Sequence, residues 1–310
     1  LQVARAAGQV RFDGPGTTAE ADRATYRPEA GGGEIRLQAV ERPKARLARE
    51  QIRVAAELIV TDPQGSRLVA ENDVEATMLP APDGKGNGVG GAMFRVDEAV
   101  HFVAARLESE ERGARFVFSG AVRAWQGERN LSAETVVLDQ EAQRLTATRE
   151  VTTRIPRDTE RPTLSEADYV QIGADELSYD EEARRAVYSG SVRVRLVEGW
   201  MEADRMEVEL GDEGGRIRAV NAFDSVRIEF RDAGEEGPPR LISGSSDRLA
   251  YDPRQETIRL FGDETPAAVR RIGEQAGTTT GRVLRYRLDL GTLEVDSGEQ
   301  GPARIRTNGK

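Results

Sequence analysis

Leu177–Val208 reads LSYDEEARRAVYSGSVRVRLVEGWMEADRMEV, and its pattern decides the fold. Ala186, Tyr188, Val192, Val194 and Leu196 share one parity, while Arg193 and Arg195 take the other. Period-two alternation of this kind marks a strand with one buried face. The stretch aligns without a gap on Leu107–Leu138, LESEERGARFVFSGAVRAWQGERNLSAETVVL, at an offset of 70 residues. Ser189-Gly190 falls on Ser119-Gly120, Val192-Arg193 on Val122-Arg123, and Ala203 on Ala133. The theme returns in LAYDPRQETIRLFGDE, where Leu249, Tyr251, Asp252 and Gly262 repeat Leu177, Tyr179, Asp180 and Gly190. Recurrence over gapless spans points to a repeat architecture.

A finer signature sits inside each copy. Apolar alternation runs up to a small residue and resumes three positions later on the opposite parity. Met201 and Ala203 precede Met206 and Val208; Leu131 and Ala133 precede Val136 and Leu138; Ile172 and Ala174 precede Leu177 and Tyr179. Ala19 and Ala21 precede Ala24 and Tyr26, and Ala56, Ala104, Ser246 and Gly281 carry looser forms. An acid often follows the small residue, as in Asp22, Glu57, Glu134, Asp175, Asp204 and Asp247. A one-residue slip turns every apolar side chain outward unless the strand bends or bulges there. Each small slot is therefore expected to be a corner, with its acid in water.

Gly, Asp and Pro punctuate the rest of the chain, and no stretch carries the period of an amphipathic helix, so the expected class is all-β. Three stretches interrupt the ladder: the Gly- and Pro-rich Leu79–Gly91, the polar Pro156–Asp168 and the acidic Asp232–Pro239. The second is the expected joint, giving modules 1–156 and 157–310, with one continuous groove or two left open.

Composition narrows the function. A net charge of −10 argues against nucleic acid as the partner, because phosphate binding rewards positive charge. The absence of cysteine removes disulfides and thiolate metal sites, and His101 as the only histidine removes multi-histidine metal sites. GKGNGVGG lacks the Lys-Ser/Thr ending of a phosphate loop. Carboxylates crowd the turns, as expected of solvated charge. Trp125 and Trp200 fall at different positions of the repeat, which speaks against a sugar-stacking platform. No metal or cofactor is therefore expected, and a glycosidase acid pair, the sharp alternative, cannot be picked from so many carboxylates.

ADELSYDEEARRAVYSGSVRV, AEADRATYRPEAGGGEIRL, SDRLAYDPRQETIRLFG and LSAETVVLDQEAQRLTATREV resemble the OstA-like family. That fold is shared by the lipopolysaccharide-transport proteins LptA and LptC and the N-terminal part of LptD. The resemblance implies an elongated, open β-jelly-roll of stacked short antiparallel strands around an apolar groove that holds acyl chains. It implies no enzyme activity, lipopolysaccharide or a related lipid as cargo, and end-to-end strand pairing with sister proteins or further copies. Which member's role this chain plays is left open. It also implies the periplasm; the sequence opens on strand-like LQVARAAGQVRF, so the leader or anchor this location requires lies outside it.

On that reading the lipid-facing residues are Phe116, Phe118, Val122, Leu138, Leu177, Tyr179, Tyr188, Val192, Val194, Met206, Val208, Val226, Ile228, Leu249, Tyr251, Ile258 and Leu260. Alternation alone favours the alternative, a structural or adhesive β-repeat whose interior is filled by its own side chains, and the resemblance reverses that preference. Arg123, Arg193 and Arg195 take the outward parity and are candidates for contact with anionic head groups.

Overall fold

The structure, a computed structural model, describes residues 3–296 and 304–307. Excepted within that span are residues 15, 30–31, 42, 50, 81–92, 95–96, 111–113, 157–168, 198, 212–216, 233–239, 273–276 and 289. Most of the three expected interruptions (79–91, 156–168 and 232–239) thus lies outside the described residues. The described elements are strands, and they fall into two units, Leu1–Val151 with Ser178–Ala183, and Thr152–Leu177 with Arg184–Lys310.

Unit 1 begins with β1 (Ala4–Gly14) and β2 (Thr17–Arg27), then four short strands, β3 (Glu34–Gln38), β4 (Ala45–Arg49), β5 (Ile52–Ala56) and β6 (Leu58–Thr61). Long strands follow: β7 (Leu68–Met78), β8 (Val100–Glu110), β9 (Arg115–Gln126), β10 (Arg129–Asp139) and β11 (Arg144–Pro156), which passes into unit 2 at Thr152. The registers show that each long strand serves two sheets. The first half of β2 pairs with β4, while its second half pairs with β3. β3 continues to β6 and the first half of β7; β4 continues to β5 and the second half of β7. From there β7, β8, β9 and β10 pair along both halves, with a register break in the middle of every ladder. The result is two sheets, here called arms, hinged at a shared corner.

Unit 2 carries β12 (Tyr169–Asp180), whose end from Ser178 belongs to unit 1, then β13 (Arg185–Arg195), β14 (Gly199–Leu210), β15 (Ile217–Asp232) and β16 (Arg240–Asp252). Then come β17 (Thr257–Phe261), β18 (Ala267–Ile272), β19 (Gly277–Gly281), β20 (Val283–Arg287), β21 (Thr292–Asp296) and β22 (Arg304–Thr307). β16 branches as β2 does: its first half pairs with β18 and its second half with β17. β18 continues to β19 and β22, and β17 to β20 and β21. The acid in the slot secures each branch. Asp22 accepts hydrogen bonds from the backbone N–H groups of Val40 and Glu41, both at 2.7 Å. Asp247 accepts from those of Glu264 and Thr265, at 2.6 and 2.9 Å. Each carboxylate thus ties down the loop that crosses from one arm to the other.

The corners come in two alternating kinds. On β8, β10, β12, β14 and β16 the turn falls at the small slot, Ala104, Ala133, Ala174, Ala203 and Ser246, all 9% exposed or less. On β7, β9, β11, β13 and β15 it falls at two successive residues with positive φ: Asn72-Asp73, Gly120-Ala121, Arg149-Glu150, Gly190-Ser191 and Asp224-Ser225. Glycine is required at 120, where φ is +83° and a Cβ would stand 2.6 Å from Ala105 Cβ. At the two glycine corners the neighbour is the residue after the slot, Ala105 against Gly120 and Asp175 against Gly190.

The recurring Tyr-Asp has its own cause. Asp139, Asp180 and Asp252 each accept a backbone N–H in the following turn, from Ala142 at 2.8 Å, Ala183 at 2.9 Å and Arg254 at 2.9 Å. Four residues after each aspartate stands a positive-φ residue, Gln143, Arg184 and Glu256. The carboxylate closes an Asx-type turn and the left-handed residue returns the chain into the next strand.

Candidate functional site: the inner faces of the arms

The inward parity is the apolar one in both units. Phe116, Phe118, Val122, Leu138, Leu177, Tyr179, Tyr188, Val192, Val194, Met206, Val208, Val226, Ile228, Leu249 and Leu260 are all buried. Tyr251 and Ile258 are half-buried at the margin of the unit 2 core. Arg123, Arg193 and Arg195 are exposed on the outer faces.

The two inner faces touch. In unit 1, Phe102 from one arm stacks on Phe118 from the other, with ring centroids 4.3 Å apart. In unit 2, Phe230 meets the edge of Tyr286 across the arms at 5.3 Å. Tyr188 and Thr153 share a hydrogen bond of 2.9 Å between two fully buried hydroxyls. Burial pushes the Tyr188 hydroxyl up to about 12, against the opposing pull of that bond. Val226, Ile228, Ile242, Ala267 and Val269 of one arm form a single cluster with Leu249, Leu260, Leu284 and Tyr286 of the other. Yet no strand ladder among the described residues joins rim to rim. Beyond the corner, the arms meet through side chains.

Phe102, Phe230 and Tyr286 escaped the sequence reading, although Phe102 continues the parity of Val100 and Ala104, and Phe230 that of Val226 and Ile228. Cross-arm proximity has no local signature.

The outer faces are charged. Arg227 pairs with Glu202 at 2.8 Å, and Arg193 with the same carboxylate at 3.6 Å; in unit 1 Arg106 pairs with Glu71 and Glu108. An open hollow of about 1000 Å³ in unit 2 includes Arg193, Arg195, Arg231, Trp200 and, of the candidate residues, Val194. The tryptophans are closer in role than their sequence positions suggest. Trp125 pairs across β9–β10 with Asn130, and Trp200 pairs across β13–β14 with Arg195. Under the 70-residue offset these are the same rung, each with one tryptophan on the outer face, 38% exposed in both cases. Trp125 stacks on His101, whose Nδ1 lies 3.1 Å from the Thr77 hydroxyl.

A family model, described as the LptA/(LptD N-terminal domain) LPS transport protein, matches residues 101–170 and again residues 171–292. The chain belongs to this family. The two matches divide the strands much as the 70-residue repeat does, and together they cover well over half of the chain. The family is one of transport proteins, not of enzymes, and the fold is the all-β jelly-roll of stacked antiparallel strands. Among solved structures, this chain is similar to LptH from Pseudomonas aeruginosa, described as the LptA-homologous periplasmic component of the lipopolysaccharide transport device. Identity is 19% and the TM-score 0.38, over 50% of this chain and 99% of that one. No curated protein sequence matches.

Proposed function

We propose that this chain carries lipopolysaccharide through the periplasm, with acyl chains between the arms and phosphates and sugars outside. The observation that carries the reading is the contact between the arms. It is apolar, and it is made by side chains rather than by backbone ladders. Parting the arms exposes hydrocarbon surface but breaks no β-ladder among the described residues, and each acyl methylene that takes the place of a side-chain contact recovers about 0.8 kcal/mol. The residues proposed to meet the lipid are the inward set from Phe116 to Leu260, with Phe102, Phe230 and Tyr286 added.

The partners proposed are sister proteins of the family. Among the described residues β1 has a ladder only with β2, and β21 and β22 have one each, so these edges are free to accept a strand. A second copy of this chain is the alternative guest for the same edges.

A photo-crosslinking amino acid at Met206, 1% exposed, is expected to capture lipopolysaccharide, and one at exposed Arg195 to capture little. Equal capture at the two positions removes the inside–outside assignment. The rival, a β-repeat protein with a permanently filled interior, predicts no capture at either position.

A further inference from the structure

Arg49 is the last residue of β4 and shares the inward parity of Ala45 and Leu47. It stands opposite Thr17 in the ladder, at the rim of its arm and away from the corner slot at Ala21. Thr61 ends β6 at the rim of the other arm and is 5% exposed. The Arg49 guanidinium spans the gap: Nη1 donates to the Gly65 carbonyl at 2.8 Å and Nη2 donates to Thr61 Oγ1. Gly65 leaves room for it, since a Cβ there would stand 3.0 Å from Arg49 Cζ. Beneath lie Leu37, Leu47, Ile59 and Leu68, each 2% exposed or less.

What distinguishes this arginine is the character of its partners. Arg106 and Arg227 sit on carboxylates, whereas Arg49 donates to a hydroxyl and a carbonyl, and its buried Nε has no hydrogen-bond partner. The nearby Asp62 carboxylate is occupied, accepting from Ser66 N at 3.0 Å, Ser66 Oγ at 2.5 Å and Arg67 N at 2.7 Å. A half-buried guanidinium whose hydrogen bonds go only to neutral acceptors, with the Asp62 charge acting on it from a carboxylate already bonded elsewhere, holds its planar fork at the rim of an apolar interior and matches the geometry of a phosphate or carboxylate.

We propose that Arg49 receives the phosphate or carboxylate of an amphiphile whose hydrocarbon enters unit 1 beneath it. This rests on the lipid reading above, and narrows it to one entry position and one headgroup charge. The Thr61 and Gly65 contacts hold the guanidinium across the mouth until the anion displaces them.

The test uses the full chain and two single-chain probes below their micelle concentrations, lauroyl lysophosphatidic acid and monolauroylglycerol, with binding followed by titration calorimetry. Wild type is expected to prefer the phosphate-bearing probe by about tenfold, the scale of a charge-assisted hydrogen bond. Arg49→Met is expected to bring that ratio to about one while binding monolauroylglycerol as before, which also shows that the variant is folded. Arg49→Lys should keep part of the preference. Arg285→Met, on the outer face of unit 2, should keep all of it. Persistence of the ratio in Arg49→Met overturns the proposal, as does equal weakening of both probes, which makes Arg49 a structural clasp. Inorganic phosphate competing at concentrations equal to the probe makes this a free-anion site and overturns the amphiphile assignment. If wild type binds neither probe, the lipid reading itself falls.

Discussion

Tyr188→Phe tests whether the arms are held together from within. The Tyr188 ring is fully buried and its hydroxyl has one partner, Thr153 Oγ1 at 2.9 Å, itself 1% exposed. Removing the hydroxyl strands that of Thr153 in an apolar interior, a loss of about 1–3 kcal/mol. Adding Thr153→Val removes the stranded group, so the double variant is expected to recover much of that loss. The burial of the same hydroxyl has a pH signature, against which the Thr153 bond pulls. Burial raises the Tyr188 hydroxyl from an ordinary value of 10.0 to about 12 in the folded protein. A raised folded value gives a contribution that is whole below pH 10.0, declines as pH rises, and is gone above about 12. Over that window wild type should lose about 2–3 kcal/mol more than Tyr188→Phe, at 1.36 kcal/mol per unit of pKa. Urea unfolding of both proteins from pH 8 to 12 measures it. The stability gap should narrow and then close or reverse. Parallel curves would refute the burial of this hydroxyl between the arms, and no recovery in the double variant would refute its bond to Thr153.

Three further outcomes follow from the same geometry. Gly120→Ala should destabilise by about 2–4 kcal/mol, combining a left-handed alanine with a 2.6 Å approach to Ala105 Cβ, whereas Gly127→Ala, with nothing within 4 Å, should cost about 1 kcal/mol; melting temperatures rank them. The Asp247 carboxyl is held below its ordinary 3.8 by hydrogen bonds from the Thr265 and Glu264 N–H groups, so its contribution is present above that value and lost as pH falls through the lower folded one. Wild type should therefore exceed Asp247→Asn in stability near neutrality and converge with it in acid, as followed by circular dichroism. Val192→Asp should cost about 3–5 kcal/mol by placing an unpaired carboxylate at a 1% exposed site, while Arg193→Asp on the opposite face should cost far less.

The strands, the inward set and half of the corners were legible because each has a local cause. Ala133, Ala174 and Ala203 announce themselves by resetting the parity of their neighbours. The other half have no such sign. Asn72-Asp73, Arg149-Glu150 and Asp224-Ser225 share a backbone conformation but no side-chain chemistry, and only Gly120 and Gly190 hint at it. The branching of β2 and β16 was hidden for a different reason. β3 and β4 are both short alternating strands, and which half of β2 each joins depends on a loop whose anchor, Asp22, looks like any exposed acid. Trp125 and Trp200 looked unrelated because a rung is a property of two strands, not of one. Arg49 was not singled out, because in ARLAR it shares the parity of Ala45 and Leu47 but nothing local marks the end of a strand as the rim of an arm.

The alternation of corner types constrains how such a protein can change its length. A strand bearing a left-handed pair has neighbours bearing small slots, so two strands of one kind side by side would break the alternation on which the shared bend rests. Losing or gaining a single strand creates that mismatch; losing or gaining a hairpin does not. Growth and shrinkage in this lineage should therefore proceed by even numbers, with each added hairpin extending both arms at once and leaving the bend aligned.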